Sequence, residues 1–166
     1  MAYEFDGNKY EQASSHQREW GETLIGALSL KGNERVLDLG CGDGTLTAMI
    51  AELVPEGDVL GIDSSRGMIA TALSKNRENL RFQLLDIEKI DFENEFDIIF
   101  SNAALHWIKN HETLLANVRR SLRPAGLAWF NFAGHGNCAA LLGVMREAMG
   151  HQRLPKIGRA SCRERV

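Results

Sequence analysis

The chain has 166 residues, 44% of them apolar and 25% charged, an ordinary composition for one folded domain that can bury a core. A formal charge of −3 and the lack of any Lys/Arg block disfavour nucleic acid as a partner, because phosphate neutralisation supplies most of that affinity. No apolar run approaches the roughly 18 residues of a membrane span, and the polar N-terminus MAYEFDGNKYEQ has no apolar stretch of a secretory signal, so a cytoplasmic location is expected.

Tyr10 to Leu30 carries Trp20, Leu24, Ile25 and Leu28 at helical spacing, with Ser14 and Ser15 as caps, and reads as one amphipathic helix. Arg35 to Leu39 is predicted as the first strand, and Thr45 to Val54 as the helix after it, stopped by Pro55-Glu56-Gly57. Val59 to Ile62 reads as the second strand, Gly67 to Lys75 as its helix and Leu80 to Leu85 as the third strand. An acidic loop over Glu88 to Glu95 leads to a fourth strand, Phe96 to Ser101. Glu112 to Leu122 puts Leu114, Leu115, Val118 and Leu122 on one face of a helix, which Arg123-Pro124-Ala125-Gly126 ends. Leu127 to Phe132 is the fifth strand, and Cys138 to Met149 a last helix. Strands alternating with helices argue an α/β fold, a parallel sheet with helices on both faces. Right-handed crossovers then gather the carboxyl ends of the strands on one side.

The segment Ile157 to Val166, IGRASCRERV, back-translates into a nucleotide string that resembles read-through of a common sequencing adapter, and it is read as an artefactual tail. The alternative is a genuine basic C-terminus. On the first reading the domain covers residues 1–156, the natural protein continues past Lys156, and the remainder is more acidic still. Without Cys162 only Cys41 and Cys138 are left, too few and too far apart for a disulfide framework or a zinc site.

The stretch Val36 to Thr45, VLDLGCGDGT, carries most of the functional information. It reads as a buried strand breaking into a glycine loop and then a helix, which lets a ligand lie against bare backbone, and the ligand it suits is a nucleoside. Asp38, two residues before Gly40, would repel a dinucleotide pyrophosphate and attract a ligand carrying an ammonium or a sulfonium. S-adenosylmethionine carries both. Gly40, Gly42 and Gly44 also follow a G-x-G-x-G spacing that departs from the G-x-G-x-x-G of pyrophosphate binders. Both features point away from a nicotinamide cofactor.

VLDLGCGDG, the Gly61-Ile62-Asp63 that ends the second strand, LLDIE after the third, FDIIFSNAALHWI at the fourth and LRPAGLAWFNF at the fifth resemble the class I S-adenosylmethionine-dependent methyltransferases. The pairing of SNAALHW with FNFAGHGN is most similar to small-molecule enzymes of the trans-aconitate methyltransferase type, and the resemblance runs from about Tyr10 to Met149. It implies a Rossmann-like sheet of order 3-2-1-4-5, lacking here the two further strands of a complete member. It also implies methyl transfer to a small-molecule acceptor, with a carboxylate as the nearest match. A cofactor-binding but inactive fragment and a nicotinamide-dependent oxidoreductase are the competing readings.

An open parallel sheet binds ligands at the carboxyl ends of its strands where their order reverses, here between strands one and four. Asp63 is placed to accept hydrogen bonds from both ribose hydroxyls, or else to cap the helix that Ser64 and Ser65 begin. Met68 offers a polarizable surface for adenine, or is core. By the family pattern Asp86 and Ile87 receive the adenine amine, loop capping by Asp86 being the alternative, and Asn102 holds the methionine end or is a satisfied turn residue. His106 and Trp107 are the substrate-side pair, against a structural His and a packing Trp. Tyr10, Gln17 and Trp20 look like the family segment that folds over the cofactor, or simply cover the sheet, while His135 and Asn137 are weaker substrate-side candidates. No metal or covalent nucleophile is expected.

Overall fold

The computed structural model describes residues 15–132, with side chains from residue 21 onward. Along it run α1 (Ser15–Gly26), β1 (Arg35–Leu39), α2 (Thr45–Leu53), β2 (Asp58–Asp63), α3 (Arg66–Ala72), β3 (Leu80–Leu84), β4 (Phe96–Asn102), α4 (His111–Ser121) and β5 (Leu122–Asn131). All four strand pairings are parallel and the order is β3-β2-β1-β4-β5, as the resemblance implied. Chain direction along the sheet reverses between β1 and β4, so a crevice opens beyond the carboxyl ends of those two strands. Among the described residues no helix is long and apolar enough to cross a membrane.

Consecutive residues of a strand point to opposite faces, and in β1 the neighbours Val36 and Leu37 are both apolar and buried. Val36, with Val59, Ile98 and Phe100, packs under Ile25 of α1, Ala48, Ile50 and Ala51 of α2, and Ile69 and Ala72 of α3. Leu37 and Leu39, with Ile62 and Ile99, pack on the other face against Ile87, Leu105, Leu114 and Val118, the last two from α4. Burial on both faces is what parallel strands demand, and each fully buried Leu, Ile or Phe contributes about 1.5–3 kcal/mol by transfer alone. Helix ends are closed by side chains: Asn110 Oδ1 accepts from Thr113 N–H at 3.0 Å to start α4, and Asn79 Nδ2 donates to Ala51 and Val54 carbonyls at 2.8 and 3.0 Å to finish α2.

The first helix is shorter than its apolar pattern. α1 stops at Gly26, yet Leu28 and Leu30 still pack on the same core, because a turn closed by Leu28 N–H on the Ile25 carbonyl carries the chain across it. The fifth strand is longer than expected. Leu122 already pairs with Phe96, and the ladder resumes with Leu127 opposite Ile98, so residues 123–126 form a bulge where the sequence suggested a stop before the strand. Ala125 sits there at φ 65°. From β5 the Trp129 indole N–H reaches the Leu24 carbonyl of α1 at 3.1 Å. The expected helix over Cys138 to Met149 and the tail from Ile157 lie outside the described residues.

Asp97 holds the amino ends of three strands together. It accepts the Arg35 backbone N–H of β1 at 2.8 Å, and both its oxygens accept from Arg123 Nη1 of β5 at 3.0 and 2.8 Å. Burial by itself would raise its pKa; these N–H groups and the two guanidinium charges outweigh that and hold it below the ordinary 3.8. A lowered carboxylate value adds stability above the unfolded-chain value, and that share is lost as the pH falls through the folded one. Asp97→Ala should therefore cost about 1–3 kcal/mol near neutrality. In urea titrations the gap from wild type should shrink on acidification toward about pH 3; a gap that stays constant would contradict this account.

Candidate functional site

The loop between β1 and α2 is tied to the end of β2 by its backbone. Gly40 and Cys41 N–H groups both donate to the Ile62 carbonyl at 2.9 Å, and Gly42 N–H donates to Asp63 Oδ2 at 3.0 Å. Gly44 and Gly42 are required for different reasons. Gly44 has φ +79°, and a Cβ there would lie 2.6 Å from the Phe82 ring, so the close approach of β3 demands glycine. Gly42 has φ +56°, and a Cβ there would meet nothing within 4 Å. The bare face of Gly42 looks into open space, while Gly40 is covered by Ala104 and Ile87.

Three carboxylates surround this loop. Asp63 Oδ1 accepts from Ser65 N–H at 2.8 Å while Oδ2 holds Gly42, so it turns the chain into the next helix and braces the loop at once. Asp43 accepts from Thr45 N–H and hydroxyl at 3.0 and 2.8 Å, and Lys75 Nζ donates to its carbonyl at 2.9 Å. Asp38 is only 2% exposed, and its Oδ2 accepts the Thr47 hydroxyl of α2 at 2.7 Å. It is therefore not an open contact at the mouth. Burial pushes Asp38 up to about 7, with Asp63 adding to the rise and the Thr47 hydroxyl opposing it. Burial also raises Asp63, against the pull of its backbone N–H partners, and raises the buried Cys41 thiol, which Asp38 and Asp63 push further.

The remaining sequence candidates divide. Ser64 is exposed, and Ser65 is the residue that caps α3, its hydroxyl accepting from Met68 N–H at 3.4 Å. Met68 is buried. Asp86 accepts Glu88 N–H at 3.0 Å, the capping geometry, and Ile87 is buried beside Gly40. Asn102 ends β4 in register with Asn131 of β5, whose Nδ2 donates to Asn102 Oδ1 at 2.8 Å. Asn131 was not among the sequence candidates; only strand register brings it here. His106 and Trp107 form the short turn after β4, their rings 5.2 Å apart, Trp107 being 55% exposed. His106 Nδ1 is buried without a partner among the described residues, and burial lowers its pKa. Gln17 and Trp20 lie in α1 without described side chains, and Tyr10, His135 and Asn137 lie outside the described residues.

A family model described as a methyltransferase domain matches residues 36–126, from the first strand to the bulge before the fifth pairing resumes. The chain belongs to this methyltransferase family. The domain is similar to the trans-aconitate 2-methyltransferase of Deinococcus radiodurans, 45% identical over 93 residues that cover 56% of this chain and 35% of that one. It is 31% identical over 131 residues to the malonyl-(acyl-carrier protein) O-methyltransferase of Bacillus cereus, covering 76% of this chain and 49% of the relative. The methyltransferase domain thus spans half or less of these relatives' length. Among solved structures, an S-adenosylmethionine-dependent methyltransferase from Mesorhizobium loti matches with TM-score 0.59 and 30% identity, over 68% of this chain and 52% of that one.

S-adenosylmethionine is the cofactor of this methyltransferase domain. The residues present fit it: a carboxylate at the end of β2, a glycine whose Cβ would fill the space in front of the loop, and a buried acid suited to a cationic ligand. The raised Asp38 value makes a stability prediction. Its contribution is present in full below the ordinary 3.8 and is lost as the pH rises through about 7, with Asp63 sloping the same way. Asp38→Asn should flatten this loss, on the order of a few kcal/mol, and raise the melting temperature at about pH 8, in thermal melts from about pH 5 upward. An unchanged slope would mean that Asp38 ionises normally.

Proposed function

We propose that this chain is the cofactor-binding part of an enzyme that transfers a methyl group from S-adenosylmethionine to a small molecule, most simply a carboxylate. The observation that carries the reading is the Asp63 carboxylate bound to Gly42 N–H at 3.0 Å, beneath open space over the glycine. The trans-aconitate and malonyl groups in the relatives' names both carry carboxylates, which supports the acceptor class.

Bound S-adenosylmethionine supplies a methyl group already activated by a positive sulfur. On this reading the backbone of Gly40 and Gly42 lies along the nucleoside and Asp63 accepts from the ribose hydroxyls, with Ser64 exposed at the same junction. Asp38 favours the cationic ligand through the low-dielectric interior. Met68, Asp86 and Ile87 border the adenine side, and Asn102 meets the methionine end. His106 and Trp107 form the acceptor wall. The chain's task is alignment and exclusion of water, worth a large part of the barrier for an in-line displacement. A carboxylate acceptor is ionised at neutral pH and asks for no general base. His106, held neutral by burial, then serves as a hydrogen-bonding wall.

Calorimetric titration with S-adenosylhomocysteine and with NAD tests the cofactor half of this reading. Binding of the first and indifference to the second is expected; the reverse would overturn it. Asp63→Ala should weaken S-adenosylhomocysteine by about 1–3 kcal/mol. Gly42→Ala should cost about 1–2 kcal/mol of stability because the position has φ +56°, and, since its Cβ meets no protein atom within 4 Å, should obstruct the ligand without displacing neighbours. Methyl-labelled cofactor offered with trans-aconitate then tests turnover. Because the chain spans 35% and 49% of its relatives, binding without turnover is the second reading, and labelled product would exclude it.

A further inference from the structure

A threonine or serine inside a helix ordinarily gives its hydroxyl proton to the carbonyl four residues back. Thr71 and Ser121 do this, to the Gly67 and Asn117 carbonyls at 3.2 and 2.8 Å. Thr47 of α2 is turned elsewhere. It is fully buried, and its hydroxyl leaves the helix to donate to Asp38 Oδ2 of β1 at 2.7 Å. The carbonyl four residues before it, that of Asp43, receives Lys75 Nζ at 2.9 Å.

An ionised carboxylate can only accept, so the bond from Thr47 is strongest when Asp38 carries its charge. None of the ion pairs among the described residues includes Asp38. Asp63 at the end of β2 opposes the charge, and the Cys41 thiol of the loop is itself pushed up by burial and by Asp38. Gly61 of β2 and Phe100 of β4, which flank Asp38 in the sheet, have nothing to titrate. The charged groups of the neighbouring helices face outward: Glu52 of α2 pairs with Arg77, and Glu22 of α1 and Arg66 of α3 are exposed. Asp43 accepts from Thr45, and His106, in the turn after β4, is lowered by burial. Thr47 is thus the one described side chain that favours the ionised form of Asp38. We propose that Thr47 is a positioning residue: by donating to Asp38 it keeps that carboxylate ionised in an apolar interior and so sets how strongly the site prefers the sulfonium of S-adenosylmethionine to the neutral thioether of S-adenosylhomocysteine. This rests on the cofactor reading above, in which Asp38 favours a cationic ligand. Charge acts without contact in a medium of low dielectric, so Asp38 needs no open oxygen toward the ligand.

The test titrates the full chain with S-adenosylmethionine and S-adenosylhomocysteine across pH. Thr47→Val, the same shape without the hydroxyl, should lower the ratio of the two affinities about fivefold from wild type at about pH 7.5. The ratio should recover toward about pH 9, where Asp38 ionises without help. Thr47→Ser keeps the donor and should keep the wild-type ratio. Thermal melts of the ligand-free chain give a second readout. Stability contributed by neutral Asp38 is lost as the pH rises toward its folded value of about 7, so Thr47→Val should carry that loss to higher pH and Thr47→Ser should leave it in place. An unmoved ratio or unmoved melts in Thr47→Val, an equal loss of both probes at every pH, or a Thr47→Ser that behaves as Thr47→Val would each overturn the proposal. Thr47→Ala stands in under the same criteria should Thr47→Val fail to fold. A wild-type chain that ignores both probes would fell the cofactor reading and the sulfonium preference with it; one that binds both, with ratio and melts indifferent to Thr47→Val, fells this inference only.

Discussion

The Asp63 carboxylate is the joint on which the rest of the site depends. One oxygen fixes the glycine loop that follows β1 and the other turns the chain into the helix that follows β2, so two loops that never touch in sequence move as one piece. The joint works only because β1 and β2 run parallel in the observed register, with Leu39 opposite Ile62 and the Ile62 carbonyl receiving Gly40 and Cys41 N–H. The apolar core on both faces holds that register, since a slip by one residue would exchange the two faces of every strand.

Charge is distributed along the sheet with a clear polarity. At the amino ends of the strands, carboxylates are paired: Asp97 with Arg123, Asp58 with Arg81, and Glu95 with Arg35. At the carboxyl ends Asp38 and Asp63 are buried and hold only hydroxyl or backbone N–H groups among the described residues. Exposed pairs contribute little individually, and among the described residues neither Asp38 nor Asp63 takes part in one. A cationic ligand entering there finds acids that the fold has left without ionic partners among the described residues, and the stability lost to burying them is offset by the core beneath.

Most of the architecture was legible in the sequence because buried parallel strands are short, apolar and separated by strong turn residues. The glycine loop and Asp63 announced the crevice for the same reason. What was not legible depended on pairing between distant segments. Pro124 and Gly126 look like a terminator, but Leu122 finds Phe96 before them, so the strand begins earlier and bulges. Asp38 was placed in a buried strand from the sequence, but its partner was not legible, because only packing of α2 on β1 brings the Thr47 hydroxyl to it. Asn131 carried no motif. It reaches the crevice by lying opposite Asn102, which no local pattern reveals.

The indole of Trp129 adds a mechanical consequence. It is fastened to the Leu24 carbonyl near the end of α1, and it sits two positions before Asn131 on the same extended rod. One strand thereby joins the first helix, the core on which Trp129 packs and the amide beside the crevice. The helix that precedes the sheet and the rim of the crevice share one support.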